Sequence, residues 1–79
     1  MNTGMMWFDN DPKTTLTAKV VVAADYYRHK YGCVPTICLV NPKMLDQPEM
    51  KIGVITVKPF RSILPSHLWI GVQDNTKGK

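Results

Sequence analysis

Apolar side chains recur along this chain with two different periods, and the change of period marks its elements. From about Lys13 to Tyr31, Leu16, Val20, Ala23, Ala24, Tyr27 and Tyr31 are spaced three and four apart, which gathers them into one stripe on a helix. Lys19, Asp25, Arg28 and Lys30 fall off the stripe and are expected to face water. Val20, Val21 and Val22 are weak helix formers because branching at Cβ restricts χ1, but the period outweighs propensity. Asp11 suits the N-cap and Pro12 the first helical position, where a missing N–H costs nothing. Thr14 or Thr15 could cap instead. Trp7 and Phe8 precede the cap, where apolar groups fold back onto the first turns. Gly32 is a natural left-handed stop, and Pro35 follows it.

Downstream, the apolar runs shorten and alternate. Thr36 to Val40 is β-branched and apolar on both sides, as in a central strand. Asn41-Pro42 ends it and caps a single helical turn through Met44-Leu45. Asp46 to Glu49 reads as a loop. Lys51 to Lys58 is predicted as a second strand, with Ile52, Val54 and Thr56 on one face and Gly53, Ile55 and Val57 on the other. Pro59 stops it. Phe60 to Ser66 is a connection. His67 to Gln73 is a third strand, with Leu68, Ile70 and Val72 opposed to Trp69 and Gly71.

These elements predict an α+β fold in a single domain over residues 1–79. One long N-terminal helix packs on a small sheet of about three strands, with a short helical turn after the first strand. Residues 1–6 read as a flexible leader and 74–79 as a flexible polar tail. With 79 residues there is room for one core only, and such a domain buries about 60% of its unfolded surface.

A single helix covers one face of a sheet, yet all three predicted strands carry apolar residues on both faces. The face holding Trp69, Cys38 and Val40 therefore needs another cover. The Trp7-Phe8 segment, the Met44-Leu45 turn and a second copy of the chain are the candidates, so a homodimer is expected.

Composition changes this picture little. The chain is 44% hydrophobic and 20% charged, as globular proteins are. No run approaches the roughly 18 apolar residues of a membrane span, so no membrane partner is expected. The N-terminus shows no basic region followed by an apolar core, which makes the cytoplasm the default location. Cys33 and Cys38 are too few for a disulfide-held secreted domain and read as reduced thiols. The net charge of +4 admits nucleic acid as a partner without demanding it.

Four groups of residues carry candidate chemistry. Asp9-Asn10-Asp11 has the oxygens of a hard-cation loop but lacks the later ligands such a loop needs, so helix capping explains it better. His29, Cys33, Cys38 and His67 are a chemically reasonable zinc set, but their spacing lacks close ligand pairs; no metal or cofactor is expected. Arg61, Ser62 and His67 share one loop and the start of a strand. Nucleophilic catalysis would also need an orienting group and an oxyanion site, for which only Asp9 or Asp11 could supply a carboxylate. No catalytic residue is therefore assigned, and an enzyme is not favoured. Arg61 and His67 could instead recognise an anion or a partner's acidic group. Tyr26, Tyr27, Tyr31, Arg28, His29 and Lys30 give the helix end an aromatic-basic mixture that could stack on nucleic acid; the helix dipole equally favours basic residues there.

Trp7-Phe8-Asp9-Asn10-Asp11-Pro12-Lys13-Thr14, Tyr31-Gly32 with Pro35, Asn41-Pro42 with Met44-Leu45, and Arg61-Ser62 through Leu64-Pro65, His67 and Trp69-Ile70-Gly71 together resemble a small family of uncharacterised bacterial proteins, over roughly residues 7–71. The resemblance implies a compact domain and no activity. More loosely, the order of helix, strand, Asn-Pro turn, strand, Leu-Pro loop and strand resembles the C-terminal part of tailed-phage major capsid proteins, which implies an assembly role. The expected function is a small non-enzymatic interaction or assembly module that self-associates, the alternative being a small basic nucleic-acid-binding protein. Its partners would be a second copy or another protein, and its candidate surface consists of Trp69, Arg61, His67, Trp7 and Phe8.

Overall fold

The computed structural model describes residues 3–72; the predicted tail at 74–79 lies outside them. Its elements run β1 (Thr3–Phe8), α1 (Leu16–Tyr31), β2 (Ile37–Val40), a single 3-10 turn (Pro42–Met44), β3 (Met50–Ile52), β4 (Ile55–Pro59) and β5 (His67–Val72). The fold is α+β, with one α-helix on one sheet. The sheet has five strands, in the order β1-β5-β2-β4-β3, rather than about three. Neighbours are antiparallel except β2 and β4, which are parallel.

Two of the five strands correct the sequence reading. Residues 3–6, expected in a leader, belong to β1, which pairs with β5 from Thr3↔Val72 to Phe8↔His67. The stretch expected as one strand over Lys51 to Lys58 is a hairpin in which Ile52 sits opposite Ile55. Gly53 has φ 60°, and a left-handed first residue is what a two-residue hairpin loop requires. Ile52 and Ile55 thus share a face, where a continuous strand would have opposed them.

The helix forms where its stripe predicts but starts later. Thr15 is the N-cap, its hydroxyl accepting from Ala18 N–H at 3.1 Å. Asp11 instead organises the preceding turn, accepting from Lys13 N–H at 2.9 Å and from the Thr14 hydroxyl at 2.8 Å. These two bonds, the backbone one first, hold its carboxyl below the usual 3.8. Gly32 ends the helix at φ 76°, its N–H donating to Arg28 O at 2.8 Å. Asn41 caps the 3-10 turn through Lys43 N–H, and its amide also ties down the later loop by donating to Ile63 O at 2.8 Å.

The core lies between α1 and one face of the sheet. Val20, Ala23 and Tyr27 of the helix pack with Ile55 and Val57 of β4, Leu68 and Ile70 of β5, and Cys38 and Val40 of β2. Cys38 and Val40, expected on the Trp69 face, lie on the helix side because they pair with Ile70 and Leu68. Met5 and Trp7 of β1 extend it at the margin. Lys19, expected in water, is buried. It lies one residue from the apolar stripe, and its ammonium reaches Asp9 O at 2.9 Å while standing 4.0 Å from the Asp9 carboxylate. The stem fills space beside the core and the charged head is satisfied.

Candidate interaction surface

Register decides which side chains meet on the face turned away from α1, because residues directly paired across strands point the same way. One row runs Gly4, Gly71, Ile37, Thr56 and Lys51; the next runs Met6, Trp69, Leu39 and Lys58; a third pairs Phe8 with His67. Residues from both ends of the chain therefore share this face.

Trp69 lies over Gly4. A Cβ at Gly4 would fall inside the indole, against Cζ2 and Cε2, so the absence of a side chain at Gly4 makes room for the ring. Part of the cover that this face was expected to need is thus supplied by Trp69 itself, lying over its own sheet at Gly4. Ile37 is buried here, outside the main core. Met6 and Phe8 remain open to solvent, 54% and 58% exposed. The Phe8 and His67 rings meet at 4.9 Å with planes tilted by 52°.

The loop before β5 holds His67 in place. His67 Nδ1 lies 3.0 Å from Pro65 O, and a carbonyl only accepts, so Nδ1 carries the proton. Ser66 is the one non-glycine among the described residues with positive φ, at 68°, a conformation that costs an ordinary side chain about 1–2 kcal/mol. Bonds on either side hold it: Asp9 N–H donates to Ser66 O at 2.9 Å and His67 N–H to Leu64 O at 3.1 Å.

Three of the five candidate residues, Phe8, His67 and Trp69, share the open face. Trp7 does not. It points to the helix side, its ring 5.2 Å from Tyr26, and its Nε1–H is buried with no hydrogen-bond partner among the described residues. Arg61 is exposed in the loop and makes no ion pair among the described residues. The sequence reading missed Gly4, Met6, Leu39 and Lys58 as members of this surface. The short uninterrupted apolar run Met5-Met6-Trp7-Phe8 was the available signal for β1.

The other groups remain apart. Cys33 is exposed and Cys38 buried, both free thiols. Burial pushes the Cys38 thiol up to about 12. No group of three or more metal-ligating side chains and no pocket occurs among the described residues. At the helix end, Arg28 pairs with Asp25 at 3.0 Å, His29 Nδ1 lies 2.8 Å from Asp25 O, and Lys30 sits 5.4 Å from the Tyr31 ring centroid. No described helix is long and apolar enough to cross a membrane.

No family model, no curated protein and no solved structure matches this chain.

Proposed function

We propose that this protein is a small interaction or assembly module that associates with itself, and that the sheet face opposite α1 is its working surface. The observation that carries this reading is Met6 and Phe8, two large apolar residues more than half exposed side by side with the Phe8–His67 and Trp69–Gly4 contacts. Contiguous exposed apolar side chains mark interaction sites far more often than isolated ones do. Sedimentation velocity from about 1 to 100 µM tests it: a concentration-dependent dimer supports the reading, and a monomer throughout removes it.

A second reading is single-stranded nucleic acid laid across the same face. Phe8 and Trp69 offer rings for base stacking, and Lys51 and Lys58 continue the rows towards β3 and β4. This arrangement favours nucleic acid more than the helix end does, where Arg28, His29 and Lys30 already have partners within α1. Retention of mixed-sequence oligonucleotides that weakens steeply with salt supports it; no retention at low salt excludes it.

A further inference from the structure

The two edges of the sheet are built differently. The β3 edge is three residues long, carries Lys51 at its centre and follows Pro48-Glu49. Short length, charge and a nearby proline are the devices by which proteins keep an edge from pairing. The β1 edge has none of them. Its six residues, Thr-Gly-Met-Met-Trp-Phe, include no charge and no proline, and their pairing with β5 runs without a bulge.

The direction of the free backbone groups follows from one hydrogen bond. Asp9 N–H donates to Ser66 O, which makes Asp9 and Ser66 a hydrogen-bonded pair. In an antiparallel ladder such pairs recur at every second residue, so Trp7 with Leu68 and Met5 with Ile70 are the next two. Gly4, Met6 and Phe8 must then aim their N–H and C=O groups away from β5, along the open edge, and no partner faces them among the described residues. These are also the residues whose side-chain positions lie on the open face.

We propose that two copies of this chain join edge to edge, with β1 antiparallel to β1 of the second copy about a twofold axis at Met6, fusing the two sheets into one. The inference rests on the self-association reading above and adds the edge and the register. A second copy fits because the edge is self-complementary: the one register that uses all the free groups sets Met6 against Met6 and Gly4 against Phe8 of the second copy. An isologous contact requires this reciprocity. The uncharged strand lets two copies of a +4 chain meet without like charges facing across the seam. Beside Gly4, the exposed Phe8 of the second copy would reach the rim of Trp69, giving an aromatic contact across the join.

Two substitutions separate edge from face. Met6→Pro deletes an N–H that the monomer does not use, and proline is tolerated on an edge where its nitrogen faces solvent. Phe8→Lys keeps every backbone donor and charges the face. The expected result is that Met6→Pro sediments as a folded monomer at concentrations where the wild type is dimeric, while Phe8→Lys still dimerises, more weakly. Loss of the dimer in Phe8→Lys with a dimeric Met6→Pro overturns the edge and leaves association through the face. A wild type that stays monomeric overturns both. Should Met6→Pro fail to fold, amide exchange in the wild type decides. At dimeric concentrations Met6 and Phe8 should be protected like Met5 and Trp7, losing that protection on dilution. Fast exchange at Met6 and Phe8 in the dimer overturns the proposal.

Discussion

Leu68 and Trp69 are neighbours on β5, and each is flanked by apolar residues of β1 and β2: Trp7 and Val40 for one, Met6 and Leu39 for the other. Leu68 is completely buried, whereas Trp69 is half-buried against Gly4 and Met6 beside it stands open. The strands supply both faces with similar side chains, so what separates the faces is cover. Among the described residues, Val20, Ala23 and Tyr27 of α1 close one, and Trp69 lying over Gly4 closes part of the other. Burial on the first face is shared with the helix, while on the second the close fit is between one ring and one missing side chain.

That contrast breaks most visibly at Leu68. Leu68→Ala leaves a cavity under the helix and should cost about 2–5 kcal/mol, read as a lowered urea midpoint with unchanged slope. Gly4→Ala tests the other face at its tightest point: the new methyl meets a rigid indole, for an expected cost of about 1–3 kcal/mol. Most of that cost should vanish in a Trp69→Val background, and purely additive effects would mean that the indole does not lie where Gly4 permits it.

Lys19→Met sharpens the boundary between the two environments. It keeps the buried stem but removes the donor to Asp9 O, so a loss of about 1–2 kcal/mol is expected; no loss would show that the buried ammonium contributes only through its stem. On the helix side, the Cys38 thiol is held neutral by burial up to about 12 against an ordinary 9.0. The unfolded chain therefore gives up this proton first as pH rises. Stability is intact below about pH 9 and falls from there towards 12, by about 1 kcal/mol near pH 10. Burial shifts the Tyr27 phenol upward too, in the same sense, so Cys38→Ala should flatten the decline without abolishing it. The smallest effect belongs to the open face: Phe8→Ser, in dilute protein, should change stability by no more than about 0.5 kcal/mol, while weakening association.

Where signals were local, the sequence was a sound guide. The stripe from Leu16 to Tyr27, the Gly32 stop, the Asn41-Pro42 turn and the division of β5 into Leu68 and Ile70 against Trp69 all depend on residues within one or two turns of each other. The sides of β5 taken by His67 and Trp69 were legible for the same reason, since a period of two needs no partner to be seen; that of Phe8 was not, because it depends on a strand the pattern did not reveal. Trp7 was misplaced because its side is set by where β1 lies, and β1 was not recognised.

Chain chemistry alone therefore settled the helix, its end and the apolar character of both sheet faces. Tertiary structure decided the number of strands, the depth of Lys19 and the company each candidate residue keeps. Residues 3–8 become a strand only because β5, from the far end of the chain, supplies the ladder, and an extended segment has no internal hydrogen bonds to announce itself. Lys51 to Lys58 divides because Gly53 takes a left-handed φ that turns the chain and lets Ile52 pair with Ile55. Gly4 acquires its meaning from Trp69, 65 positions away along the chain, through a contact that neither residue's neighbours encode.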